Sequence, residues 1–185
     1  MKQVWNIESW RRLQLSDTFC ALMERAESSP LLGDLAVRDL CCLARTPWSP
    51  VGIYIFSDDD RVLYTGKMHG RSFQERMLSH IDHRDPIAGS PHLAQLVQSI
   101  LKNKKAKTAD EAVEQILNMK ITWLPVARES MERQEYKRKI ALIERRLLWK
   151  NCLDPFYNSP RVKRNDSFNI AGDRHYLRLD MLIGE

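Results

Sequence analysis

The spacing of apolar positions changes several times along this chain, and each change predicts an element. In "WRRLQLSDTFCALMERAE" (10–27) they recur every three or four residues, the period of an amphipathic helix, and "SSPLLGDLAVRDLCCLAR" continues helically after a turn. "TPWSP" (46–50) closes that region, because two prolines three apart cannot lie inside a helix. "VGIYIF" and "RVLYTG" are β-rich runs on either side of Asp58, Asp59 and Asp60, which predicts a hairpin with a solvated acidic turn. "SFQERMLSHI" reads as a helix with Ser72 and Glu75 as a capping box, and "SPHLAQLVQSILK" as a second, opened by Ser90 and Pro91. "TADEAVEQILNM" predicts a third, "KITWLPVA" a strand, and "SMERQEYKRKIALIERRLLWKN" a long helix. The late alternation "YLRLDMLI" suits an edge strand.

The expected fold class is therefore α/β in the α+β sense, a small central antiparallel sheet of about three strands flanked by helices. The expected organisation is a helical N-terminal extension (1–50), a core (51–160) and a basic C-terminal tail (161–185). No internal repeat or low-complexity segment interrupts it.

Composition narrows the function classes. With 185 residues, 43% hydrophobic and 29% charged, the chain has the balance of an ordinary globular domain. No apolar run nears the length of a membrane span, and "MKQVWNIESWRRLQ" lacks the apolar stretch of a signal peptide, so a cytoplasmic location without membrane partners is expected. Cys20, Cys41, Cys42 and Cys152 lack C-x-x-C spacing, so reduced buried thiols are a better reading than structural zinc.

The net charge of +5 is unevenly placed. Residues 1–50 balance six Lys/Arg against six Asp/Glu, whereas 128–178 hold thirteen against seven, and "KNKKAK" (102–107) adds a second basic cluster. Lys102, Lys104, Lys105, Arg161, Lys163 and Arg164 are the candidates for contact with a polyanion; a helix face laced with ion pairs explains the same charges without one.

If the three aspartates form the turn, Ser57 faces Arg61 and Tyr54 lies directly across from Tyr64, with both phenols on one face. In the next helix Phe73, Met77 and Ile81 form the apolar stripe, flanked by Arg76 and His80 one turn apart. In the long helix Tyr136, Ile140, Ile143 and Leu147 make the stripe, and Glu144 falls at its edge, where a carboxylate needs a partner. Two phenols, a guanidinium, an imidazole and a carboxylate are what phosphodiester hydrolysis requires: an oxygen ligand for a hard cation, a base for water, and fixed positive charge for the phosphorane. A free phenol is a weak base at neutral pH, which makes Lys67 and Arg76 useful neighbours.

Gly52-Ile53-Tyr54, then Tyr64-Thr65-Gly66, Phe73-x-x-Arg76-x-x-x-His80, Glu144 and Pro155-Phe156-Tyr157-Asn158 together resemble the ordered pattern of the GIY-YIG endonucleases, with Thr65 in place of the second motif's middle isoleucine. The resemblance covers roughly 50–160 and leaves 1–50 unmatched. It implies a GIY-YIG-like core and a DNA endonuclease using Mg2+ or Mn2+. Tyr54 would act as general base or hold the water, Tyr64 would support it, Arg76 would bind the scissile phosphate and His80 would assist. Glu144 would be the one protein ligand to the metal, Asn158 would steady the site, and Lys67 stands where several members carry lysine.

Duplex DNA is the expected partner, and a restriction-type or defence nuclease the expected role, with a homodimer if the target is palindromic. A repair or structure-specific nuclease, a toxin-like effector nuclease and a non-catalytic nucleic-acid-binding module are the alternatives.

Overall fold

The computed structural model describes residues 19–36, 52–59, 61–68, 71, 73–84, 92–126 and 132–149. Helix α1 (Phe19–Glu27) is followed by a 3-10 turn at Leu32–Asp34. Strands β1 (Gly52–Ser57) and β2 (Val62–Met68) precede α2 (Phe73–Ile81). The short β3 (His83–Arg84) and β4 (His92–Leu93) pair with each other, and α3 (Gln95–Lys102), α4 (Ala109–Leu117), β5 (Lys120–Pro125) and α5 (Arg133–Trp149) complete the order.

The main sheet is antiparallel with order β2-β1-β5, giving an α+β fold. β1 is buried along its whole length because helices cover both faces. Tyr54, Phe56, Tyr64, Ile121 and Trp123 share one core cluster with Phe73 and Met77 of α2, Leu96, Val97 and Ile100 of α3, and Ala112 and Ile116 of α4. By strand alternation Ile53, Ile55 and Leu124 face the other way. On that side α5 packs against β1 and β2 and buries Tyr136, Ile140 and Ile143, while α1 packs against β5 and β1 and buries Leu22 and Ala26. The Tyr136 hydroxyl donates to the Val126 carbonyl, tying α5 to the end of β5.

Residues 29–32 join the sheet through β5. Leu31 bridges to Lys120, the Ile121 amide donates to the Pro30 carbonyl at 2.9 Å, and Ser29 Oγ meets Thr122 Oγ1 at 2.8 Å in a buried contact.

Three local expectations are corrected. The hairpin register is shifted by two: Tyr54 pairs with Gly66 and Phe56 with Tyr64. Asp58 and Arg61 close the turn themselves, with the Asp58 amide donating to the Arg61 carbonyl at 3.1 Å and the Arg61 amide to Asp58 Oδ1 at 2.8 Å, so Ser57 pairs with Val62. A bulge then leaves Leu63 between the Ser57 and Phe56 pairings. One displacement from the turn and one from the bulge keep the parity, so the two tyrosines stay on the same face as diagonal neighbours.

Helix α3 starts at Gln95 rather than at Ser90 and Pro91, because His92 and Leu93 are held extended by β3 and Ala94 offers no capping side chain. Leu32–Asp34 turns through a 3-10 helix rather than an α-helix, with Gly33 lying so close to Leu117 that a Cβ would meet its carbonyl oxygen at 3.1 Å; the rest of that expected helix, 37–45, lies outside the described residues. Ser72 lies outside the described residues, as do Trp5, Trp10, Trp48, Cys41, Cys42, Cys152 and the 161–185 tail.

Candidate functional site

Tyr54 is the centre of a polar cluster inside an apolar wall. Its hydroxyl lies 2.6 Å from His80 Nε2 and accepts a hydrogen bond from Arg76 Nε at 3.0 Å. Tyr54 comes from the central strand, while Arg76 and His80 lie four residues apart on α2 and therefore face the sheet together. His80 is only 4% exposed, deeper than a flanking position predicts, and its ring packs edge-on against Tyr54, Phe56 and Tyr64. Tyr64 lies beside Tyr54 with ring centroids 6.2 Å apart.

Gly66 makes this packing possible. It is the cross-strand partner of Tyr54, and a Cβ there would fall 2.2 Å from both Cζ and the hydroxyl oxygen of that tyrosine. The phenol thus folds over bare backbone, a placement only glycine permits. Gly52, at the start of β1, is close-packed against β5, where a Cβ would meet the Leu124 carbonyl oxygen at 2.2 Å.

The electrostatics follow from burial. Desolvation, joined by the neighbouring Tyr64, raises the Tyr54 phenol well above its ordinary value, and the opposing pull of Arg76 does not overcome it. Tyr64 is raised for the same first reason, again against Arg76. Burial works against the charge on Arg76, but the two phenols and Glu144 outweigh it and raise its pKa. His80 is lowered to about 3 by burial and by Arg76, so its imidazole is neutral at pH 7. A neutral ring with Nδ1 protonated leaves Nε2 to accept from the Tyr54 hydroxyl, while the oxygen of that hydroxyl accepts from Arg76.

Lys67 and Glu144 form a second group. Lys67 Nζ donates to Glu144 Oε2 in an ion pair whose side chains are 31% and 17% exposed. Lys67 alternates with Gly66 on β2 and so projects from the sheet face opposite the phenols, where α5 brings Glu144 down onto the edge strand. The carboxylate remains near enough to the phenol cluster to act on Tyr64 and Arg76. Its donor set fits a hard cation held by one carboxylate and otherwise by water; among the described residues there is no group of three or more His, Cys, Asp or Glu that could hold a metal ion.

The predicted site residues thus form two groups about β1 and β2, Tyr54, Tyr64, Arg76 and His80 on one face of the sheet and Lys67 with the predicted ligand Glu144 on the other. Asn158, Arg161, Lys163 and Arg164 lie outside the described residues. Lys102, Lys104 and Lys105 are exposed at the C-terminal end of α3. Lys104 has φ 56°, and the amides of Lys104 and Lys105 donate to the Leu101 and Ile100 carbonyls, so the cluster also terminates the helix with cations at its negative end.

Sequence reasoning missed Trp123, the β5 partner of Tyr54, whose buried indole nitrogen has no hydrogen-bond partner among the described residues. It also missed His83, whose Nε2 lies 2.8 Å from Asp110 Oδ1 and joins the end of α2 to the start of α4. Neither pairing has a local signal, since each spans strands or helices distant in sequence. Comparison with protein-family models, with curated proteins and with solved structures finds no match for the chain.

Proposed function

We propose that this chain is a divalent-cation-dependent endonuclease that hydrolyses DNA phosphodiester bonds, with the GIY-YIG-like arrangement its motifs resemble. The observation that carries this reading is the Tyr54 hydroxyl held between Arg76 Nε and His80 Nε2, which supports a proton relay beside a fixed cation. A phenol whose pKa is raised cannot supply a standing phenolate at neutral pH. It can take a proton from water only while passing its own to an acceptor; His80 Nε2, 2.6 Å away, is the neighbouring acceptor, and because burial and Arg76 lower the imidazole to about 3 it can carry that proton only in passing. The partly exposed Arg76 guanidinium meets the phosphate, where negative charge accumulates in the transition state. Glu144 is the residue that would hold Mg2+ or Mn2+, which supplies Lewis-acid polarisation of the phosphate and a more acidic water.

Duplex DNA is the substrate favoured by the basic excess of the chain, and a restriction-type or defence nuclease is the role proposed for it. Incubation with supercoiled plasmid, single-stranded DNA and RNA, with Mg2+ or Mn2+ and with EDTA, tests the reading. Discrete plasmid fragments that require the cation support it. Cleavage undiminished in excess EDTA, or no cleavage of any substrate, contradicts it.

A further inference from the structure

The Lys67–Glu144 pair carries an inference that rests on the reading of Glu144 as the cation ligand. The geometry points to Lys67 as a built-in occupant of the cation position: its ammonium and the divalent ion compete for one carboxylate, and cation entry releases Lys67 from Glu144.

Three features support this. Lys67 Nζ is bonded directly to Glu144 Oε2, so an ion coordinated by that oxygen takes the place of the ammonium. Both side chains are partly exposed, at 31% and 17%, so the lysine can swing on its flexible stem to solvent or to a bound phosphate without opening the core. Finally, Glu144 belongs to no larger group of His, Cys, Asp and Glu among the described residues. With one protein carboxylate in the site, a single competing charge controls a large share of cation affinity, whereas a site with three carboxylates would barely register it. The released ammonium then serves as a point charge for phosphate, so the same lysine guards the site when empty and contacts substrate when loaded.

The test measures Mn2+ binding to the full chain without DNA, from the loss of the free-ion electron paramagnetic resonance signal. Lys67→Met and Lys67→Gln are expected to bind Mn2+ roughly threefold to tenfold more tightly than wild type, the affinity equivalent of losing a partly exposed ion pair. Lys67→Arg, which keeps the competing charge, is expected to stay close to wild type, and Glu144→Gln to lose the site whichever residue stands at 67. If Glu144→Gln abolishes binding but neither Lys67→Met nor Lys67→Gln strengthens it, the competition is overturned and the proposed function stands. If Lys67→Arg binds as tightly as Lys67→Met, charge is not the competitor and the inference is also overturned. Should Glu144→Gln bind Mn2+ as wild type does, both the competition and the assignment of the cation to Glu144 fall.

Discussion

The Tyr54 hydroxyl and His80 Nε2 are 2.6 Å apart in a buried wall of the sheet, and the imidazole is neutral. With Nδ1 carrying the ring proton, Nε2 accepts from the phenol, and the neutral imidazole sets the pH range in which that bond survives. The unfolded chain protonates a histidine near pH ~6.5, whereas the folded chain does so only near 3.

Between those values the unfolded state binds the extra proton. The contribution of His80 is therefore fully present above pH ~6.5 and falls by up to ~1.4 kcal/mol per pH unit below it, until the folded pKa is reached. The urea midpoint of wild type should drop between pH 7 and pH 5, and the gap between wild type and His80→Gln should narrow over the same range. A gap that stays constant would mean that His80 is not held neutral in the core.

Gly66→Ala tests the cradle under the phenol. The new methyl would fall 2.2 Å from the Tyr54 ring and hydroxyl, so the ring must move and lose its alignment with His80 and Arg76. We expect a stability loss of ~1–3 kcal/mol from overpacking and a fall in cleavage rate on the order of a hundredfold. Wild-type cleavage by a folded Gly66→Ala protein would show that the phenol position is not needed.

The hairpin was only partly legible in sequence. Alternation identified which side of the sheet Tyr54 and Tyr64 share, but not their register, because Leu63 adds a bulge and Asp58 closes the turn through its own side chain and amide. Periodicity located Arg76 and His80 together on α2, yet not the depth of His80, which depends on Phe56 and Tyr64 from the sheet. An acid at the edge of an apolar stripe announced that Glu144 needs a partner; that Lys67 provides it follows from the docking of α5 on β2, a contact distant in sequence. The start of α3 is not legible locally, because pairing of His92 and Leu93 with β3 overrides the helix signal of Ser90 and Pro91.

Glu144→Gln keeps the shape and removes the charge. Cation-dependent cleavage should vanish, while thermal stability changes by no more than about 1 kcal/mol, since the ion pair with Lys67 is partly exposed. Asp59→Asn is the control: its partner Lys120 is 2.6 Å away, but the carboxylate is 86% exposed and its loss should affect neither activity nor folding. Full activity in Glu144→Gln would move the cation elsewhere.

Arg76→Lys retains a positive charge and loses the planar guanidinium that bonds Tyr54 through Nε and can grip two phosphate oxygens. Turnover should fall ~100- to 1000-fold with duplex binding in EDTA little changed. Equal losses in binding and turnover would make Arg76 a general DNA contact rather than a transition-state one.

The most direct measurement is the single-turnover rate of plasmid cleavage by Tyr54→Phe in Mg2+, alongside wild type. The substitution deletes one oxygen, the atom held between Arg76 and His80. Circular dichroism and duplex binding in EDTA should match wild type, and the rate should fall by roughly a hundredfold or more, the usual worth of a positioned base. Cleavage by Tyr54→Phe at the wild-type rate would contradict the proton relay and leave Tyr54 as a packing residue of the central strand.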